Sequence, residues 1–221
     1  MSASDYSDTT VIVPVRDEPA TGKVVNQVFK SMPGAKVLVI YKGRPNISAK
    51  RSGLIIVAQR GSGKGTAVIQ AARLVKTPIM CIIDGDATYD VNDLKKAADL
   101  VKGGADMVTG NRMNKVDSRA MPGYIRFGNR VLSWTCNRLY NTHLIDSQTG
   151  LRAIRKSAFD KIEFKETHFG IETEMAVKFK KKNFKLVEIP INYYERIGET
   201  KHVKGIGGIK LFFTMFKFLF E

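Results

Sequence analysis

The chain alternates short runs of consecutive apolar residues with longer stretches whose apolar positions recur every three or four residues. The runs "VIVPV", "KVLVI", "GLIIVA", "PIMCII" and "ADMVTG" are rich in β-branched residues and predict strands covered on both faces. Between them "TGKVVNQVFKSM", "GTAVIQAARLVK" and "VNDLKKAADLVKG" have helical spacing, clearest at Val24, Val25, Val28 and Phe29. Asn92 stands as a candidate N-cap of the third. Strands and helices taken in turn predict an α/β fold with a mostly parallel central sheet flanked by helices. Such sheets bind ligands beyond the carboxyl ends of their strands.

After Arg112 the pattern changes. "YIRFGNRVLSWTCNRLYN" is helical but sets Arg126, Arg130 and Arg138 among large apolar residues, as a surface helix with an apolar face would. "DSQTGLRAIRKSAFDKI" predicts a loop, a strand and a short helix, and "GIETEMAVKFKKKN" a further helix. "KLVEIPINYYERIG" is a last strand whose Pro190 fits an edge position. The tail "GIGGIKLFFTMFKFLFE" is the most apolar segment; on a helix Lys210, Thr214, Lys217 and Glu221 form one narrow polar stripe. Its apolar stretch is shorter than the about 20 residues a membrane span requires. Two readings stay open: an amphipathic helix in a membrane interface, or a helix packed on the domain or in a dimer seam. The chain therefore divides into a polar tail over 1–10, a catalytic domain over 11–200 and an amphipathic interfacial tail over 201–221.

Charge sharpens the choice of partner. Thirty-six Lys and Arg against 21 Asp and Glu give a net charge of +15, which favours anionic partners: phosphorylated small molecules, an acidic membrane surface or nucleic acid. Nucleic acid is disfavoured, because the densest basic run, Lys178 to Lys182, contains only Phe179 as an aromatic. Two cysteines, Cys81 and Cys136, make neither a disulfide framework nor a zinc spacing, and the N-terminus has no apolar leader segment, so a cytoplasmic location is expected.

Two motifs carry chemistry. "RGSGKGT" has the look of a phosphate loop, yet the glycine expected five positions before Gly63 is Ala58, Gly65 follows Lys64, and the motif comes after the third strand. A nucleotide kinase is one reading. The other is a strand-to-helix turn whose amides and Lys64 are free to meet an anion. Downstream, "CIIDGDATYD" puts Asp84 and Asp86 where a central strand runs out, and two carboxylates there can share a divalent cation that grips a diphosphate; the plainer alternative is a solvated turn with a helix-capping aspartate.

Taken together and in order, "VIVPVRDE", "RGSGKGTAV", "IIDGDATYD", "GADMVTGNR", "DSQTGLRAIRKSAF", "FGIETEM" and "VEIPINYYERIGETK" resemble family 2 glycosyltransferases of the GT-A fold, and within them the dolichyl-phosphate sugar synthases. The resemblance implies the GT-A nucleotide-diphospho-sugar transferase fold and Mg²⁺ or Mn²⁺ as cofactor. It implies a UDP- or GDP-linked sugar donor, a polyprenyl phosphate acceptor and a peripheral position on the cytosolic face of an anionic membrane. A homo-oligomer stays open. The resemblance assigns Pro14, Arg16 and Glu18 to the nucleotide floor, with Tyr41, Lys64 and Gly85 beside the nucleotide and Asp84 and Asp86 at the metal. Arg112 would hold the acceptor phosphate, helped by Arg119 or Arg126. Asp146 and Gln148 would face the sugar or acceptor, and Arg196 and Lys201 would close over phosphates. Asp86, Asp146 and Arg112 are thus the expected catalytic set, and Asp146 and Glu174 the candidates for any assisting carboxylate. One departure stands out: where the family places acidic residues after its second strand, this chain has "VIYKGRP".

The reaction the resemblance implies is an inverting transfer. A lipid monophosphate, whose second pKa is about 6, is already a nucleophile near neutral pH and calls for positioning more than for a general base. A glycan or a small phosphorylated alcohol is the alternative acceptor.

Overall fold

The computed structural model describes residues 5–47, 51–114, 119–197 and 205–219, with the backbone alone for 205–210. Seven strands form one sheet: β1 (Thr9–Arg16), β2 (Lys36–Lys42), β3 (Leu54–Ala58), β4 (Ile79–Ile82), β5 (Met107–Asn111), β6 (Arg152–Arg155) and β7 (Leu186–Pro190). Their order across the sheet is β3-β2-β1-β4-β6-β5-β7. All neighbours pair in parallel except β6, which runs antiparallel to both β4 and β5. Reversal of this one strand has a consequence for the site. The segment entering β6 reaches the sheet at the edge where β4 leaves it, since Ile82 pairs with Arg152.

The helices are α1 (Thr21–Ser31), α2 (Lys64–Leu74), α3 (Val91–Lys102), α4 (Gly123–Tyr140), α5 (Lys156–Phe159), α6 (Ile171–Lys181) and α7 (Gly205–Lys217). Period-2 alternation sorts the continuous apolar strands onto two cores. Val11, Val13, Val37, Val39 and Cys81 pack beneath α1 and α3, whereas Ile12, Leu38, Ile40, Met80 and Ile82 pack against α2 and α6. The N-terminal segment joins the fold earlier than the expected tail boundary at residue 10: Tyr6 is fully buried, and its hydroxyl donates to Asp99 Oδ1 at 2.7 Å. Asp90, not Asn92, caps α3, its carboxylate accepting the Asn92 amide at 2.8 Å. Pro190 lies in β7, which pairs only with β5 and is the sheet edge the proline predicts.

A third cluster joins α4 to α7: Leu132, Cys136 and Tyr140 meet Val177, Met215 and Phe218. A 13-residue helix is marginal alone, but burying Met215 and Phe218 contributes on the order of 3–6 kcal/mol. This side of the tail is therefore docked on the domain, while Phe213 and Leu219 stay exposed. No helix among the described residues is long and apolar enough to cross a membrane.

Candidate active site

The chemistry gathers at the carboxyl edge of β4. Asp84 and Asp86 follow that strand directly, with Gly85 between them packed against the Val15 side chain of β1. Lys64, the first residue of α2, reaches Asp84 Oδ1 at 2.6 Å and Glu172 Oε1 of α6 at 2.8 Å. Burial works against the ammonium charge, and the carboxylates of Asp84 and Glu172 outweigh it, holding the group well above the ordinary lysine pKa. Gly150 lies against this ion pair: a Cβ there would stand 2.5 Å from Asp84 Oδ2 and 2.8 Å from Lys64 Nζ. Asp86 accepts the Thr88 hydroxyl at 2.7 Å and amide at 3.2 Å. Its other oxygen lies 3.5 Å from Arg196 Nη1, and Arg196 also pairs with Glu18. Burial, and then the charge of Asp84, raise the Asp86 carboxyl above its usual range.

A second group adjoins the first. Arg112, just past β5, donates through Nε and Nη2 to the two oxygens of Asp146 at 2.7 and 2.9 Å, and its amide also donates to Asp146. The guanidinium lies over the Tyr193 ring at 5.3 Å, and Tyr193 meets Tyr89 edge-on at 5.2 Å. Tyr89 in turn accepts the Gly150 amide at 2.8 Å. A continuous bracket thus runs from the Asp84–Lys64 pair through Gly150, Tyr89 and Tyr193 to Arg112. Beneath it Arg152, fully buried, donates to the carbonyls of Ser147 at 3.0 Å and Thr149 at 3.3 Å and fixes the loop that carries Asp146.

The end of the glycine turn is taken up by packing. Gly63 caps α2 at φ 93°, open to glycine at little cost. The amides of Gly65 and Thr66 are spent on the carbonyls of His168 and Thr167 at 3.2 and 3.0 Å. A Cβ at Gly63 or Gly65 would fall 2.1 Å from Thr167 O or 2.0 Å from Glu166 O. The expectation that the turn's amides and Lys64 are free for an anion is therefore corrected for Gly65, Thr66 and Lys64: the carbonyls of His168 and Thr167 take the two amides, and two carboxylates take Lys64.

Residues 10–163 match the model of the Glycosyl transferase family 2. The chain belongs to that family. Glycosyltransferase AglJ of Haloferax volcanii is 33% identical over 190 residues, covering 84% of this chain and 63% of that protein, so the chain spans less than two thirds of this relative. Dolichyl-phosphate hexose transferase of the same organism is 30% identical over 213 residues, 94% of this chain and 92% of that one. Among solved structures, glucosyl-3-phosphoglycerate synthase of Mycobacterium tuberculosis with phosphoglyceric acid superposes at a TM-score of 0.74 and 14% identity, over 95% of this chain and 79% of that chain. Its complex with Mn²⁺, UDP and phosphoglyceric acid gives 0.72 at 12% identity, over 95% and 77%. The architecture is the GT-A fold, as the sequence motifs implied.

Within this glycosyltransferase the expected residues separate by position. Glu18, Lys64, Asp84, Asp86 and Arg196 converge at the β4 edge, and Arg112 stands at the far end of the tyrosine bracket. Pro14, Arg16 and Tyr41 line the neighbouring ends of β1 and β2, where Val15 pairs with Tyr41. Three residues have other roles than expected. Asp146 is fully buried and engages Arg112, so its carboxylate does not face an open site. Gln148 donates to Ser147 and to Thr173 of α6. Glu174, a candidate assisting carboxylate, is fully buried and caps the amides of Lys165 and Glu166 at 2.9 and 2.8 Å. Arg119 is exposed, Arg126 donates to the Met113 carbonyl, and Lys201 lies outside the described residues. Sequence reasoning missed Glu172, Tyr89, Tyr193, Arg152 and Glu188, the last of which accepts the amides of Ile145 and Asp146 at 2.9 Å each.

Proposed function

We propose that this glycosyltransferase moves a sugar, with inversion, from a UDP- or GDP-linked donor to a polyprenyl phosphate such as dolichyl phosphate, in a peripheral position on the cytosolic face of a membrane. The observation that carries this reading is Arg112. It is a buried arginine whose fork is fixed by Asp146 and stacked on Tyr193, one tyrosine bracket away from the paired carboxylates of β4. Two of its nitrogens are held by Asp146, and among the described residues Nη1 is left for a phosphate oxygen. The relative named dolichyl-phosphate hexose transferase, matched over nearly all of both chains, supports a lipid phosphate as acceptor.

The donor set fits Mg²⁺ or Mn²⁺. Asp84 and Asp86 offer hard oxygen ligands at the strand edge, and no group of three His, Cys, Asp or Glu that could hold a metal exists among the described residues. Donor diphosphate and water must therefore complete the shell, the usual arrangement for Mg²⁺ beside phosphates. A cation bound there would offset the charge that builds on the departing diphosphate. In the transfer itself an acceptor phosphate oxygen forms its bond to the anomeric carbon as the bond to the diphosphate breaks, and the electron pair leaves with the nucleoside diphosphate. No proton need be removed, because the acceptor is already ionised. Arg112 would hold the attacking phosphate, and Arg196, paired with Glu18 and 3.5 Å from Asp86, would meet the leaving one.

A phosphorylated small alcohol presents the same phosphate to Arg112, and the solved synthase of this fold holds phosphoglyceric acid. The test is a screen of UDP- and GDP-sugars against dolichyl phosphate and, separately, 3-phosphoglycerate, with products identified by mass spectrometry. Glycosylated lipid dependent on Mg²⁺ or Mn²⁺ is the expected result; turnover with the soluble acceptor alone would overturn the lipid assignment.

A further inference from the structure

Helix α4 is apolar on two opposite sides. One side, with Leu132, Cys136 and Tyr140, is buried against α6 and α7. The other carries Tyr124, Phe127, Val131 and Trp134, spaced three, four and three apart and so in one stripe. Tyr124, Phe127 and Trp134 are 72, 69 and 67% exposed. Singly exposed aromatics are ordinary, but three aligned along one helix in water are an unpartnered surface.

We propose that this outer side of α4 is the surface by which the protein docks on an anionic lipid bilayer. The inference deepens the lipid-acceptor reading and rests on it only for the direction from which the acceptor arrives. Three observations select lipid as the occupant. Between Gly123 and Tyr140 there are three arginines, Arg126, Arg130 and Arg138, and no carboxylate, and Arg130 and Arg138 are exposed beside the stripe. Tryptophan and tyrosine with flanking arginines are the side chains that settle at a headgroup boundary, rings in the acyl edge and cations at the phosphates. A second copy of the chain is the weaker fit, because one stripe of four side chains falls well short of the ~800 Å² per partner of a stable dimer. Location agrees: Arg126, in the first turns of α4, donates to the carbonyl of Met113, the neighbour of Arg112. A lipid phosphate at the bilayer surface beside α4 is thereby near the arginine proposed to receive it.

Trp134 is the only tryptophan of the chain, so wild-type protein reports on its own docking. With phosphatidylglycerol–phosphatidylcholine vesicles its emission should shift to the blue and be quenched by doxyl-labelled lipid, with weaker effects in high salt or on phosphatidylcholine alone. Phe127→Ser with Val131→Ser should lower vesicle partitioning at least about tenfold. Transfer to a short-chain polyprenyl phosphate in detergent should stay unchanged, while Phe213→Ser on α7 should have the smaller effect on partitioning. Vesicle binding that leaves Trp134 open to acrylamide would overturn the proposal and move the contact elsewhere. Absence of vesicle binding would overturn it too, and sedimentation of a dimer with an already blue-shifted Trp134 would give the face to a second copy. Trp134 buried in lipid without any transfer to polyprenyl phosphate would keep the surface and remove the acceptor reading.

Discussion

Replacing Gly150 by alanine tests whether the Asp84–Lys64 pair is set by the backbone that lies against it. The new methyl group would stand 2.5 Å from Asp84 Oδ2 and 2.8 Å from Lys64 Nζ. Ordinary contact begins near 3.4 Å, so the carboxylate must retreat by about 0.9 Å and the ammonium by about 0.6 Å. Both clashing atoms are side-chain ends, so the fold accommodates the change at the ~1–3 kcal/mol typical of mild overpacking. For a chain of this size that is a loss of about 2–12 °C in Tm. A displacement near 1 Å at a reacting centre costs on the order of 100-fold in rate. The expected outcome is a folded Gly150→Ala protein with kcat lowered about 100-fold and weaker binding of nucleoside diphosphate in Mn²⁺. Circular dichroism melts, calorimetry and a sugar-transfer assay on one preparation separate the two effects. Wild-type turnover and nucleotide affinity in that variant would refute the reasoning, since Asp84 would then be free to move without consequence.

Four further outcomes are expected. Mn²⁺ should tighten nucleoside diphosphate binding in calorimetry, and Asp84→Asn with Asp86→Asn should abolish the tightening; an unchanged affinity removes the metal assignment. Because burial and Asp84 raise the Asp86 carboxyl, its ionised form is disfavoured in the fold and stability is lost as pH rises through its titration. Asp86→Asn should accordingly melt higher than the ligand-free wild type at neutral pH, by about 2–4 °C for each ~1 kcal/mol relieved, and the difference should shrink on acidification; a difference independent of pH refutes the attribution. Arg112→Ala should raise the apparent KM for lipid phosphate about 10–100-fold, more than for donor, and lower stability by stranding the buried Asp146. Adding Asp146→Asn should restore stability and not the acceptor KM; recovery of both would make Arg112 purely structural.

Alternating strands and helices, and the placing of Asp84 and Asp86 just past a central strand, were legible in the sequence because each rests on local signals: apolar runs, helical spacing, and carboxylates where a strand runs out. The place of β6 was not. A short strand such as "RAIR" carries no information on its direction, and only pairing with β4 and β5 reverses it. The partner of Lys64 was hidden for a related reason, since Glu172 lies 108 positions away and reads as one more acidic residue opening a helix. "GSGKG" misled toward free amides because sequence shows which backbone groups a turn exposes and not the segment that later covers them, here 166–168. The tail read as amphipathic, and the burial of Met215 and Phe218 under its apolar face depends on a cleft that α4 and α6 build.

The ion pairs at the β4 edge bear on how the protein can be handled. Asp84 faces Lys64 and Asp86 faces Arg196, so the fold supplies counter-ions to its own acidic edge. Domains whose folding is driven by a structural metal collapse when the metal is stripped. Here Lys64 and Arg196 already stand beside those carboxylates, and preparation in chelator is expected to leave the architecture standing. A cation held by Asp84 and Asp86, as proposed, would then be a companion of the substrate diphosphate and would belong in the assay buffer, not in the purification.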